Sequence, residues 1–179
     1  IYLLNETAVL SYDAQDNTIR KTPYKSGKID LTLAHRAIYN TNDNQIYIYA
    51  EDKGLYSFLN LETGKWNNLE TFSKKPSKLI FQKHNNVFNP SDNSIYMLGG
   101  YGQYKYNNIL RKLNLTDSSW TNLPTNDSVF KPRYLAGSAI FKDSIYILGG
   151  YGSASGSQLT NPKSYSDLIA YSIKSKRFK

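Results

Sequence analysis

The sequence predicts an all-β fold of repeated four-stranded antiparallel units, a β-propeller. Two observations carry this. First, one strand recurs: Ile1-Tyr2-Leu3-Leu4, Ile46-Tyr47-Ile48-Tyr49, Ile95-Tyr96-Met97-Leu98 and Ile145-Tyr146-Ile147-Leu148, with starts 45, 49 and 50 residues apart. Second, a twelve-residue frame follows each copy, at Ala8 to Ile19, Leu55 to Trp66, Ile109 to Trp120 and Asp167 to Phe178. A four-stranded unit repeating every 45–50 residues or so is a propeller blade.

The recurring strand is the second of each blade. Before it stands an apolar segment ending in turn chemistry: Ala37-Ile38-Tyr39-Asn40, Val87-Phe88-Asn89 and Ala139-Ile140-Phe141. These are the innermost strands. Asn and Asp close them because their short side chains bond their own backbone in tight turns. Within the twelve-residue frame the fifth place is Tyr12, Leu59, Leu113 and Tyr171, and the seventh is Ala14, Leu61, Leu115 and Ile173. The last is Ile19, Trp66, Trp120 and Phe178. A polar turn precedes that last column in every copy, so the frame reads as the two outer strands of a hairpin. No segment holds a helical apolar period over three turns. The blades are expected at about 1–24, 31–70, 79–124 and 132–179, the first without its innermost strand.

Composition narrows the function. The chain has 179 residues, 40% of them hydrophobic and 16 of them Tyr, which is too apolar for intrinsic disorder. It has no Cys, so it has no disulfide framework, thiolate zinc site or cysteine nucleophile. No apolar run approaches the ~18 residues of a membrane-spanning helix. The formal charge of +8 is spread over turn lysines, with clusters at Lys74-Lys75 and Lys78 and from Lys174 to Lys179. Solvation accounts for such turn lysines, and nucleic acid is not expected as a partner. Sequon-type triplets at Asn5, Asn114 and Asn126 matter only in a secreting eukaryote.

The pairs Gly99-Gly100 and Gly149-Gly150, each following a strand, with Trp120 downstream and Pro132-Arg133 leading into the next blade, resemble the kelch repeat. The resemblance covers essentially the whole chain. It is weaker where Ala50-Glu51 and Asn5-Glu6 replace the glycine pair and Ile19 replaces Trp. It implies a kelch-type propeller, and the four blades are then expected to be an incomplete, open fragment of a six- or seven-bladed ring, a four-bladed ring being the alternative. Trp66 and Trp120 are expected to pack between blades, and the glycine pairs to serve close strand approach rather than to cradle phosphate, since no helix follows them.

No P-loop, nucleophile elbow, metalloprotease motif or calcium loop is present, and no cofactor is expected. His35 and His84 fall in register at the start of innermost strands, where a structural role is the simpler reading than a metal. The resemblance admits two carbohydrate-active kinds. A copper enzyme of the galactose-oxidase kind needs a Cys that this chain lacks. A sialic-acid-mutarotase kind would draw on Arg36, His35, His84 and Arg133.

The loops between second and third strands are more informative. From the strand Tyr to the last column, the chain runs 17 residues (Tyr2 to Ile19), 19 (Tyr47 to Trp66), 24 (Tyr96 to Trp120) and 32 (Tyr146 to Phe178). The frame is constant, so the loop alone grows. Loops beyond about 12–15 residues are usually functional or disordered, and the Gly and Ser of 149–166 favour mobility. In a propeller these loops share a face with the connections entering the innermost strands. Tyr101, Gln103, Tyr104, Arg133, Tyr134, Tyr151, Gln158 and Tyr165 are therefore expected to converge as a ligand-binding face, since aromatics and Arg dominate binding hot spots. A non-enzymatic recognition or sensor propeller for a protein or carbohydrate ligand is the expected function; the alternatives are the mutarotase kind or a structural spacer. The absence of Cys fits an exported or envelope protein of a bacterium more easily than a cytosolic adaptor.

Overall fold

A computed structural model describes residues 1–30, 36–51, 53–72, 83–125 and 128–179. His35, the Lys74-Lys75 and Lys78 cluster and Asn126 lie outside the described residues. The chain forms two compact units, Ile1–Thr71 and Phe72–Lys179. The described residues hold strands, turns and bends but no helix, so the all-β expectation holds. No helix among them is long and apolar enough to cross a membrane.

In the first unit, β1 (Tyr2–Leu4), β2 (Ala8–Asp13) and β3 (Thr18–Pro23) make a three-stranded antiparallel meander. A second sheet takes β4 (Arg36–Asn40), β5 (Gln45–Ala50), β6 (Leu55–Asn60) and β7 (Lys65–Trp66) in sequence order, with β8 (Glu70–Thr71) also on β6. Ile46, Ile48, Ala50, Leu59 and Trp66 form its core with Val9 and Ile29.

In the second unit, β9 (Asn85–Asn89) and β10 (Ser94–Leu98) begin a sheet. The small hairpin β11 (Tyr101–Gly102) and β12 (Lys105–Tyr106) interrupts it before β13 (Leu110–Asn114) and β14 (Ser119–Leu123) complete the order β9-β10-β13-β14. Next come β15 (Arg133–Tyr134), β16 (Gly137–Phe141), β17 (Ser144–Leu148), β18 (Tyr151–Gly152), β19 (Lys163–Ser164), β20 (Leu168–Ser172) and β21 (Arg177–Phe178). Of these, β16-β17-β20-β21 form a four-stranded sheet and β15-β18-β19 a small three-stranded one. The core lies between the two large sheets of this unit. Val87, Tyr96, Leu98 and Leu110 from one meet Ile145, Ile147, Ile169 and Tyr171 from the other.

The twelve-residue frame has one structural meaning in all four large sheets. Its fifth and last residues stand directly opposite across the outer hairpin: Tyr12 and Ile19, Leu59 and Trp66, Leu113 and Trp120, Tyr171 and Phe178. Opposed apolar pairs on one face are what hold a sheet in register. The turns behave as their composition predicts. Asn40, Asn60, Asn89 and Asn114 end strands, and each side-chain oxygen accepts the N–H two residues on. Asn17, Asn44 and Asn93 take the left-handed backbone that Asn tolerates.

Trp66 is buried in the core of the first unit, and Trp120 meets Phe72 edge-on with centroids 5.1 Å apart. Segment 149–166 contains β18 and β19 and buries Gly152, Ser153 and Gly156. Gly152 and Gly156 let backbone approach backbone, with the Pro132 and Tyr106 carbonyl oxygens against them.

Candidate functional site

The second unit gathers a cluster of tyrosines. Gln103 and Tyr104 form the two-residue turn of β11-β12, both at positive φ (50° and 61°). That backbone matches the twist of the flanking strands and sets Tyr101 opposite Tyr106. Alongside, Tyr134 of β15 stands opposite Tyr151 of β18, which pairs on its other side with Ser164 of β19.

Backbone hydrogen bonds stitch these pieces together. Gly100 N–H donates to the Arg133 carbonyl at 2.8 Å and Arg133 N–H to the Asn107 carbonyl at 3.0 Å. Tyr106 N–H donates to Gly156 O at 2.7 Å and Gln158 N–H to Tyr104 O at 3.3 Å. Four rings are thereby brought into contact. Tyr134 stacks on Tyr101 (5.3 Å between centroids) and on Tyr106 (5.6 Å), and Tyr151 meets Tyr106 and Tyr134 edge-on. Such pairs contribute about 0.5–1.5 kcal/mol each beyond area burial. Burial raises the Tyr106 hydroxyl's pKa, with Tyr151, Tyr134 and Tyr101 adding to the effect, so this hydroxyl stays neutral at physiological pH. At the rim, Tyr104 is 81% exposed and Leu159, just past Gln158, is 94% exposed.

Arg133 lies beneath this surface, 1% exposed. Its Nη1 and Nη2 donate to the two Asp167 carboxylate oxygens at 2.5 and 2.9 Å, Nη1 also to Gly149 O at 3.0 Å, and Nε to Lys131 O at 3.1 Å. Tyr165 covers the guanidinium plane 4.1 Å away and Phe130 lies 5.6 Å away. One side chain therefore holds both ends of the 149–167 segment.

A family model, the KLHDC2/KLHL20/DRC7 Kelch-repeats domain, matches residues 4–179. The chain belongs to the kelch-repeat family. A comparison with curated proteins found no match. Kelch domains generally serve as protein-binding propellers.

The kelch glycine pair is accounted for by close approach. Gly99 has φ +66°, and a Cβ there would overlap the Arg133 carbonyl oxygen. Of the eight residues expected on one face, Tyr101, Tyr134 and Tyr151 join the ring cluster, and Gln103 and Tyr104 form the exposed turn beside it. The other three turn inward. Arg133 is buried in its ion pair, the Tyr165 ring covers Arg133, and both the Tyr165 hydroxyl and Gln158 Nε2 are buried without a hydrogen-bond partner among the described residues. Arg133 thus has no surface for a ligand, because its charge is needed inside the kelch scaffold. His84 is buried, and no cluster able to hold a metal occurs among the described residues.

Sequence reasoning missed Tyr106, Leu159 and Asp167. Tyr106 was within reach, because reading Gln103-Tyr104 as a hairpin turn puts it opposite Tyr101. Asp167 pairs with a residue 34 positions away and leaves no local signal.

The ion pair also sets a pH dependence. Hydrogen bonds from Arg133 hold the Asp167 carboxyl below its ordinary pKa, while burial opposes them more weakly. A depressed carboxyl contributes stability that is fully present above the unfolded value, about 3.9, and is lost as pH falls through the lower folded value. Thermal denaturation should therefore separate wild type from Asp167→Asn at about pH 6, with the gap closing below about pH 4.

Proposed function

We propose that the tyrosine cluster of the second unit, with Gln103, Tyr104 and Leu159 at its rim, is the contact surface of this kelch domain for a protein partner. The observation that carries this is the pairing of a rigid aromatic base with two large, almost fully exposed apolar side chains. Tyr rings supply contact area at little conformational cost, and solvent-facing apolar residues beside a fixed platform are the anchors of interface hot spots. Lys105 and Lys163 are exposed on the same small strands, so a partner segment carrying carboxylates together with an apolar side chain suits the surface.

A photo-crosslinking residue in place of Tyr104 is expected to capture a protein that the same residue in place of Arg177 does not. Capture should fall at least about tenfold when Leu159→Ala is added, the range of a hot-spot loss. Equal capture from both positions, or insensitivity to Leu159→Ala, would overturn the proposal.

A further inference from the structure

Leu135 stands where the backbone does not favour a leucine. Its φ is +52°, in the left-handed region that is costly for an L-residue bearing a Cβ. Asn17, Asn44, Asn93, Ser118, Lys142 and Lys176 share this conformation, but each sits in a hairpin turn whose geometry demands it. Leu135 belongs to no hairpin. It joins β15 to β16, which lie in different sheets.

Its neighbours fix the bend from both sides. Tyr134 is held by its pairing with Tyr151. Ala136 is held by Asn85, whose Oδ1 accepts the Ala136 N–H and whose Nδ2 donates to the Ala136 carbonyl oxygen. A Cβ on Gly150 would come within 3.0 Å of both the Tyr134 carbonyl oxygen and Ala136 Cβ, so backbone also closes on the bend from β17 to β18. Strain persists only where the surroundings over-determine it, and such positions cluster at ligand clamps and other functional sites.

Core packing does not account for the leucine, because 61% of it is exposed. Glycine or asparagine would take the same backbone at less cost. Among the described residues at positive φ, two carry a large apolar or aromatic side chain, Leu135 and Tyr104. Tyr104 is the exposed rim of the tyrosine surface, and Leu135 follows directly on Tyr134, whose ring stacks on Tyr101 and Tyr106 in its base. At both places an unfavourable backbone holds a large side chain out in solvent.

We infer that Leu135 is a specificity-determining residue of the tyrosine surface, a third anchor beside Tyr104 and Leu159 that engages a further apolar side chain of the protein partner. This rests on the reading of that surface given above. The bend is braced before binding, so the leucine is presented without further ordering, which is what preorganisation contributes to affinity.

The test uses the 179-residue chain with the photo-crosslinking residue in place of Tyr104, with and without Leu135→Gly, and a further chain with the crosslinker in place of Leu135. Both crosslinker positions are expected to capture the same protein, identified by its peptide masses. Leu135→Gly should lower capture from the Tyr104 position at least about tenfold. Its thermal midpoint should stay level or rise, by up to about 4 °C, because glycine relieves the backbone. Leu135→Asn should behave alike. A structural leucine would do the reverse, lowering the midpoint and leaving capture intact. A midpoint lowered by more than about 4 °C, a fall in capture smaller than tenfold, or a different protein captured at Leu135 would overturn the inference. The tyrosine surface would still stand in that case, provided that capture from the Tyr104 position depends on Leu159. Loss of that dependence would remove the surface and the inference together.

Discussion

Arg133→Ala is expected to destabilise the second unit by about 3 kcal/mol, the range in which breaking a buried ion pair falls. Three losses combine. The Asp167 carboxylate loses both its donors, the Gly149 and Lys131 carbonyls lose theirs, and the rings of Tyr165 and Phe130 lose the guanidinium that lies near each. Each polar group stranded in a poorly hydrated place costs more than a typical hydrogen bond contributes. Asp167 is itself partly exposed, which keeps the figure at the low end of the range. Urea denaturation should show a lower midpoint at unchanged slope. Arg133→Lys should recover only part of the loss, because an ammonium cannot bridge both carboxylate oxygens and still stack on Tyr165. A change under about 1 kcal/mol, the size of an exposed ion pair, would mean that the guanidinium is not sealed in this way.

Gly152→Ala is expected to cost about 2–3 kcal/mol, by overpacking. A Cβ at this position would overlap the Pro132 carbonyl oxygen and lie 2.8 Å from Arg133 Cα, and both obstacles are backbone. The strands β15 and β18 would have to part, separating Tyr134 from Tyr151. Near-ultraviolet circular dichroism, which reports the asymmetric packing of tyrosines, should weaken along with stability. Gly137→Ala is the control. Its Cβ would meet Leu148 at 3.8 Å, an ordinary contact, and the change should stay within about 0.5–1 kcal/mol.

The sequence carried the sheets far better than the site. Leu59 and Trp66, or Tyr171 and Phe178, lie seven positions apart with a polar turn between them, so their pairing is written in local spacing. The tyrosine cluster is only half local. Tyr101 and Tyr106 belong to one hairpin, but their contacts with Tyr134 and Tyr151 depend on segments joined through Arg133 and Gly156 backbone bonds. Arg133 shows the limit most clearly. Its residue type suggested a ligand contact, and only its distant partner Asp167 reveals a buried role.

Equivalent columns can also differ in exposure. Leu148 and Leu168 occupy the places of Leu98 and Leu110, which are buried, yet both are exposed. Burial there is decided by whether another sheet covers the face, which no alternation pattern records. Ile19 departs likewise, standing exposed in the column where Trp66 and Phe178 are buried.

Arg133 has one further consequence, for the freedom of the chain it spans. Its guanidinium bonds Gly149, where the long segment leaves β17, and Asp167, where it returns to β20. Closing a chain segment costs conformational entropy that rises only with the logarithm of length, about 0.6 kcal/mol per doubling. With its mouth clamped by a group rooted outside it, the segment can lengthen at that small cost while β17 and β20 keep their register. The two ends of the loop thereby carry its anchoring, and its interior can change without disturbing them.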